Sequence, residues 1–267
     1  MYLGIDLGTS GVKVLLMDEN QRVLGSATGA LTVSRPHAGW AEQAPADWIA
    51  ATRAALNELR ASHDLSGVKG IGLSGQMHGA VTLDASDQVI RPAILWNDTR
   101  SHVQAARLDA MPEFRAITGN IVFPGFTAPK LVWMAENEPE AFARVDCVLL
   151  PKDYLRLWLT GERVAEMSDA AGTSWLDTGT RAWSDALLAA SGMRRDQMPR
   201  LIEGSENSGG LRADVAAEFG MQPGTAVAGG AGDNAATAIG AGTVTEGQGF
   251  VSLGTSGVLF AATDRYL

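Results

Sequence analysis

The sequence predicts a layered α/β fold, in which a sheet is covered by helices. Residues 2–16 are two apolar runs joined by a tight polar turn, a pattern typical of a β-hairpin. After Pro45, which suits the first turn of a helix, apolar residues recur at helical spacing over residues 48–59. Residues 68–73 are a short apolar run with the length of a buried strand. Because strands and a helix alternate in this way, we expect them to form separate packed layers.

The next elements follow from the same patterns in chain order. Residues 21–33 predict another short strand pair, and residues 101–133, which Gly and Pro interrupt, predict a mixture of loop and helix. A buried strand is predicted over residues 145–150. Pro151 then introduces a helix that covers residues 152–159.

The composition indicates a globular protein that binds neither nucleic acid nor membrane. The 267 residues are 46% hydrophobic, which suffices for a sizeable core. The net charge of −9 is opposite to the basic surface that nucleic acids and anionic membranes select. The single cysteine, Cys147, excludes an internal disulfide and lies in an apolar run that predicts burial. Because no apolar stretch has the length of a membrane span, we expect a cytoplasmic protein.

The turn of the first hairpin has the composition of a phosphate site. It reads DLGTSG at residues 6–11, where the glycines permit positive φ and leave the backbone N–H groups open to an anion. We expect Gly8, Thr9 and Ser10 to contact phosphate oxygens. Asp6 is itself an anion and suits such a site only with a cation in between, which predicts Mg²⁺. The alternative is that Asp6 caps an ordinary hairpin turn.

The same five residues recur near the end of the sequence. LGTSG occupies residues 7–11 and again residues 253–257, each time between two apolar runs. A repeat of this length with matching flanks indicates two related half-molecules, each opening with a phosphate hairpin. The alternative is two unrelated β-hairpins that share common turn residues.

Further segments complete a pattern that resembles the FGGY carbohydrate kinases, within the actin, hexokinase and Hsp70 superfamily. These segments are SGQMHG (74–79), LWNDTR (95–100), PKDYL (151–155), SDAAGT (168–173) and GGAGDNAA (229–236). The resemblance implies a ribonuclease H-like α/β domain with a mixed sheet flanked by helices. It also implies that residues 1–245 are an N-terminal sugar-binding and catalytic domain, and that residues 246–267 are the first hairpin of a truncated C-terminal nucleotide-binding domain.

The resemblance further implies transfer of the γ-phosphate of ATP, with Mg²⁺, to a ketopentose, with D-xylulose and its 5-hydroxyl expected first. A homodimer is the implied assembly, and the present chain alone is expected to be inactive. Alternatives are a kinase for ribulose or another polyol and a non-catalytic sugar-binding lobe. A nicotinamide-dependent oxidoreductase is a further alternative because residues 230–235 fit GxGxxG/A, although Asp233 would repel a pyrophosphate there.

Asp233 is the residue that we expect to be catalytic. It follows a predicted strand over residues 225–229 and a glycine-rich turn, and it precedes a predicted helix. Side chains at such positions of open α/β sheets reach the ligand. A carboxylate there can accept the proton of an attacking hydroxyl, and the resemblance implies this role of catalytic base. The alternative is that Asp233 is a helix N-cap.

The resemblance assigns the remaining contacts. Asp6 would hold Mg²⁺ through water, and Gly254 and Thr255 would contact the distal phosphates from the opposite wall. The segment at residues 74–79 turns at a sheet end, where backbone N–H groups and an imidazole can meet hydroxyls. The alternative for His78 is a satisfied core histidine. The expected sugar contacts are Met77, His78, Asp233 and Asn234.

Overall fold

The computed structural model describes residues 1–253 and 257–266. The strands are β1 (Tyr2–Leu7), β2 (Gly11–Met17), β3 (Val23–Ala30), β4 (Glu42–Gln43), β5 (Gly70–Gly75), β6 (Val81–Leu83), β7 (Ala93–Ile94), β8 (Cys147–Leu149), β9 (Val164–Glu166), β10 (Leu176–Asp177), β11 (Ala182–Trp183), β12 (Arg200–Ile202), β13 (Asn207–Gly210), β14 (Ala226–Ala228), β15 (Ala231–Gly232), β16 (Gly249–Leu253) and β17 (Gly257–Ala261). The helices are α1 (Pro45–Arg60), α2 (His102–Asp109), α3 (Pro112–Thr118), α4 (Thr127–Asn137), α5 (Pro139–Phe142), α6 (Pro151–Thr160), α7 (Met167–Ala170), α8 (Asp185–Ala190), α9 (Ala213–Phe219) and α10 (Asp233–Gly240).

The central sheet has the predicted α/β class and mixed strand directions. Its order is β13-β14-β5-β1-β2-β3, and β15 also pairs with β5. β1 runs antiparallel to β2 and parallel to β5, while β14 and β15 are both parallel to β5. The carboxyl ends of β1, β5 and β15 therefore meet at one edge of the sheet, where ligands of open α/β sheets bind.

The two faces of β1 have different environments. Side chains alternate between the faces of a strand. Leu3, Ile5 and Leu7 are buried, whereas Asp6 is exposed on the other face. The apolar stripe of α1 packs on the same side of the sheet against β2 and β3, and its Trp48 belongs to the same core as the buried side chains of β1. Burial of each such side chain stabilises the fold by about 1.5–3 kcal/mol. The opposite face of β1 remains available to a ligand.

A second core lies beside the central sheet. It joins α2, α3 and α4 to the small sheets formed by β6 with β8 and by β9 with β12, and it buries Phe114 and Trp175. The predicted mixture of loop and helix over residues 101–133 corresponds to α2, α3 and the first part of α4. This second core supports the segments that follow β5, which contribute to the site described below.

Several element predictions are confirmed and one is wrong. α1 and α6 begin at Pro45 and Pro151 as predicted, and Cys147 is buried in β8. The strand pair predicted over residues 21–33 is a single strand, β3, because this segment pairs in register with β2 rather than with itself. Over the described ranges, no helix combines the length and apolar character required to cross a membrane.

Candidate active site

Two acidic residues lie at the carboxyl edge of the central sheet. In the strand register, Asp6 of β1 lies opposite Ser74 of β5, and Ser74 lies opposite Ala231 of β15. Ser74 Oγ donates a hydrogen bond of 2.6 Å to Asp6 Oδ1. Asp233 follows Ala231 by two positions and begins α10. The sheet thus brings Asp6, the carboxylate predicted on the phosphate side, and Asp233, the predicted base, to the same end of two strands that both pair with β5.

The carboxyl group of Asp233 has a perturbed pKa. Burial raises this pKa above its ordinary value, the backbone hydrogen bond from Asn234 lowers it, and the Asp6 carboxylate raises it further. Asp233 Oδ1 accepts hydrogen bonds from Asn234 N at 2.7 Å and from Asn234 Nδ2 at 3.1 Å. Gly232, not Asp233, is the N-cap of α10. The capping alternative therefore does not describe Asp233.

The turn between β1 and β2 is closed by its own backbone. Gly8 N donates to the Gly11 carbonyl oxygen at 3.0 Å. Neither glycine has a positive φ, so the conformational reason expected for them from the sequence is wrong. Close packing explains Gly11 instead, because a Cβ there would lie 2.8 Å from the carbonyl oxygen of Gly29 in β3.

A network of side chains that the sequence did not predict fixes the hydroxyl of Thr9. Trp96 Nε1 donates to Thr9 Oγ1 at 2.9 Å, and Thr9 Oγ1 donates to Gln76 Oε1 at 2.9 Å. Gln76 Nε2 donates to Gln43 Oε1 at 3.1 Å, and Gln43 Nε2 donates back to the Thr9 carbonyl oxygen at 2.8 Å. Trp48 Nε1 also donates to Gln43 Oε1. The closed ring holds the turn in one conformation before any ligand arrives.

Of the other predicted phosphate contacts, the structure describes Ser10. Ser10 is exposed at the tip of the turn, and its carbonyl oxygen accepts a hydrogen bond from Leu31 N at 3.0 Å. Gly254 and Thr255 lie outside the described residues.

Met77 and His78 follow β5 at the same edge of the sheet. A Cβ on Gly232 would lie 2.9 Å from Met77 Cγ, and a Cβ on Gly172 would lie 2.5 Å from His78 Nδ1. Met77 therefore packs against the residue that immediately precedes Asp233. The predicted sugar contact Met77 and the predicted base Asp233 therefore lie close together at the carboxyl end of the sheet.

The imidazole of His78 is held on two sides. Its Nδ1 lies 2.7 Å from the Gly172 carbonyl oxygen, and its ring stacks on Phe126 with 4.5 Å between the ring centroids. Burial lowers the pKa of His78 to about 4, the Gly172 hydrogen bond opposes this shift, and Lys130 lowers the pKa further. The imidazole is therefore neutral at neutral pH.

A buried ionic cluster, also unpredicted, supports the glycine-rich turn before Asp233. Arg156 is fully buried and donates to Asp153 Oδ1 at 2.6 Å and to the carbonyl oxygen of Gly229. On the other side of the turn, Gly232 N donates to Ser168 Oγ at 3.2 Å. Burial raises the pKa of Asp169, in the same cluster, well above its ordinary value. The turn is therefore anchored at both ends by side chains of α6 and α7.

A cavity of about 1230 Å³ covers the open face of the sheet. Its walls include Asp6, Ser74, Ser168 and Ala235, together with part of β17. Small-molecule sites commonly enclose roughly 300–1,000 Å³. The cavity therefore has room for more than one small ligand beside Asp6.

The architecture is a mixed α/β fold of the actin and hexokinase type, as predicted. The N-terminal domain of the FGGY family of carbohydrate kinases matches residues 1–240, and the chain belongs to this family. The family resemblance noted in the sequence is thereby confirmed.

Particular relatives narrow the comparison. Xylulose kinase of Escherichia coli (strain K12) is 55% identical over 268 residues, which cover 100% of this chain and 55% of the relative. A crystal structure described as a xyloylose kinase from Brucella ovis has 67% identity and a TM-score of 0.98, over 99% of this chain and 55% of that chain. Xylulose kinase from Rhodospirillum rubrum has 32% identity and a TM-score of 0.91, over 96% and 54%. The chain spans about half the length of these relatives.

Proposed function

We propose that this chain is the sugar-binding and catalytic half of an ATP-dependent ketopentose kinase, with D-xylulose as substrate and its 5-hydroxyl as acceptor. The observation that supports this most strongly is the placement of Asp6 and Asp233 at one edge of the sheet. Phosphoryl transfer to an alcohol needs charge neutralisation at the phosphate and a proton acceptor at the hydroxyl. The relatives named as xylulose kinases support the choice of D-xylulose.

In this proposal Asp233 is the general base. Its carboxylate accepts the proton of the attacking hydroxyl as that oxygen forms its bond to the γ-phosphorus of ATP. The bond from the γ-phosphorus to the oxygen that bridges the β- and γ-phosphates breaks, and ADP leaves with that oxygen. The raised pKa of Asp233 brings it nearer to the operating pH, which makes it a better proton acceptor than an unperturbed carboxylate. Asn234 Nδ2 donates to the same carboxylate and so leaves its own amide oxygen to accept from a sugar hydroxyl.

Asp6 suits a magnesium ion that accompanies ATP. Over the described part of the chain, no group of three or more His, Cys, Asp or Glu side chains could hold a metal ion. Mg²⁺ bound with phosphates needs only one or two carboxylates, because water and phosphate oxygens complete its coordination. Asp6 has one oxygen oriented by Ser74 and lies on the open face, which fits this role. When bound, the ion would neutralise developing phosphate charge.

The turn of residues 8–10 is the proposed cradle for the γ-phosphate. The Gly8 N–H closes its backbone on the Gly11 carbonyl oxygen, and Gln76 and Trp96 hold the Thr9 hydroxyl in place. The Thr9 hydroxyl has one proton and donates to a phosphate oxygen only when it releases Gln76 Oε1. Gly254 and Thr255 are proposed to contact the more distal phosphates. Met77 and His78 are proposed to contact the sugar.

The domain boundary at residue 245 also stays a proposal. β16 and β17 pair with each other and not with the central sheet, which supports the assignment of residues 246–267 to the opening hairpin of a nucleotide-binding domain. The proposed homodimer is tested by light scattering of a protein that contains this chain.

Calorimetric titration of the 267-residue chain with sugars tests the proposed function. D-xylulose should bind more tightly than D-ribulose, because the relatives are named as xylulose kinases. NAD should give no binding heat, because the proposed site offers contacts to sugar hydroxyls beside Asp233. Tighter binding of D-ribulose would identify D-ribulose, and not D-xylulose, as the preferred substrate. Binding of NAD without binding of either ketose would contradict the kinase assignment.

The catalytic step is tested in a protein that joins this chain to the second half found in its relatives. Asp233→Ala should lower kcat by about 10²–10⁴-fold in a coupled ADP-release assay, the range typical of a lost general base. Asp214→Ala, whose side chain is exposed in α9, is the control and should leave kcat unchanged. Near-normal turnover of Asp233→Ala would remove Asp233 as the base.

A further inference from the structure

His78 adopts a backbone conformation that costs free energy unless its surroundings hold it. Its φ is +67°, in the left-handed region that residues other than glycine seldom occupy. The His78 carbonyl oxygen accepts hydrogen bonds from Lys130 Nζ at 2.8 Å and from Thr127 Oγ1 at 3.1 Å. Both donors belong to α4 and are 0% exposed. One buried helix end therefore holds the strained residue in place.

Lys130 makes its hydrogen bonds to backbone carbonyl groups. The second bond goes to the Gly125 carbonyl oxygen at 2.7 Å. Burial lowers the pKa of Lys130 well below its ordinary value, while Asp98 raises this pKa and Arg100 lowers it. Burying a lysine costs free energy. We attribute its presence here to the backbone conformation that it stabilises at His78.

The hydrogen bond at Nδ1 fixes the tautomer of the imidazole. The Gly172 oxygen is a carbonyl and can only accept, so His78 Nδ1 carries the proton. In a neutral imidazole the other nitrogen, Nε2, then has a lone pair and no proton. Nε2 has no hydrogen-bond partner within residues 1–253 and 257–266, and it is not sealed from solvent. The ring therefore presents a free acceptor.

We propose that Lys130, with Thr127, is a positioning residue that sets His78 so that Nε2 accepts a hydrogen bond from a hydroxyl of the substrate. This inference rests on the proposed function and adds the direction of the hydrogen bond. A hydroxyl can donate to Nε2. A carbonyl, ether or fluorine at the same position has no proton to donate, so its lone pair would repel the lone pair of Nε2. The site therefore selects a polyhydroxylated ligand with a donor at this position.

The tautomer is measured by NMR of the free 267-residue chain labelled with ¹⁵N-histidine. Nδ1 of His78 should show the shift of a protonated nitrogen and Nε2 that of an unprotonated one. Lys130→Met should move both signals towards the average of the two tautomers, because the backbone can leave the left-handed region and the ring can leave Gly172. A proton on Nε2 in the unmodified chain would overturn the proposal.

The effect on binding is measured by calorimetry with D-xylulose. Lys130→Met should raise Kd about tenfold and Thr127→Val about threefold, in line with the loss of one or two buried hydrogen bonds. Lys69→Met, with a side chain 62% exposed, is the control and should leave Kd unchanged. Unchanged Kd and ring signals in Thr127→Val and Lys130→Met would overturn the proposal, and Thr127→Val decides alone if Lys130→Met does not fold.

The proposed function and the positioning of His78 by α4 can be contradicted independently. If the unmodified chain does not bind D-xylulose, the proposed function is contradicted. The ring signals of the free chain and of Thr127→Val still decide whether α4 sets the tautomer of His78, because they require no ligand.

Discussion

At Asp233, opposing influences on one carboxyl group decide whether it can act as a base. Burial and the Asp6 carboxylate raise its pKa, while the backbone hydrogen bond from Asn234 lowers it. Each unit of pKa corresponds to about 1.4 kcal/mol of differential interaction between the two protonation states. The charge of Asp6 therefore influences the proton affinity of Asp233 as well as the phosphate side of the site.

The substitution Asp6→Asn tests this coupling. It removes a negative charge, so the pKa of Asp233 should fall towards its ordinary value, and the acid limb of a kcat profile governed by Asp233 should move to lower pH. The pKa is measured by ¹³C NMR of the carboxyl group in the 267-residue chain. Glu113→Gln, at an exposed position in α3, should leave the pKa unchanged. An unchanged pKa in Asp6→Asn would show that the charge of Asp6 does not perturb Asp233.

At the scale of elements, the break between β14 and β15 gives Asp233 its position. Both strands pair with β5, and Gly229 and Gly230 separate them. Gly230 has φ +76°, and a Cβ on it would lie 2.1 Å from the Leu73 carbonyl oxygen. Only glycine satisfies both the backbone conformation and the close approach. The glycine-rich composition was visible in the sequence, but the neighbouring backbone that requires it was not.

Two glycine substitutions separate conformation from close approach. Gly220→Ala places a side chain at φ +70° with nothing within 4 Å, so it should cost about 1–2 kcal/mol of unfolding free energy. Gly230→Ala also places a side chain at a positive φ, and its Cβ would clash with the Leu73 carbonyl oxygen of β5, so it should cost at least about 2 kcal/mol more than Gly220→Ala. Urea unfolding of the 267-residue chain measures both. Equal losses would mean that β5 moves aside without cost.

At the scale of the whole molecule, the sequence predicted the candidate site residues but few of the contacts that hold them in place. Local patterns predicted α1, α6 and the hairpin of β1 and β2, because each depends on residues close together in the chain. The supports of the site join distant segments. Gln43 reaches Thr9 across 34 positions, and Lys130 reaches His78 across 52. No periodicity within one segment reports such contacts, and the strand pairing of β3 was missed for the same reason.

The proposed assignment of sugar binding to this chain and of nucleotide binding to a second half predicts weak binding of ATP by this chain alone. Because the chain spans about half the length of its relatives, the walls for adenosine are expected in the second half. Isothermal titration of the 267-residue chain with Mg²⁺-ATP should therefore give Kd above about 1 mM, weaker than −4 kcal/mol. The same preparation should bind D-xylulose, which shows that it is folded. A micromolar Kd for ATP would contradict this arrangement.

The bond from Trp96 to Thr9 has an optical consequence. The indole of Trp96 is 42% exposed, and its N–H donates to the hydroxyl of Thr9 in the turn between β1 and β2. An anion that accepts the hydroxyl proton of Thr9 displaces Gln76 Oε1 as its acceptor. This changes the hydrogen bonding of the oxygen to which the indole donates, and the emission of an indole depends on the polarity and hydrogen bonding around it. Trp96 is one of seven tryptophans, so the part of an emission change that disappears in Trp96→Phe should report occupancy of the turn without any added label.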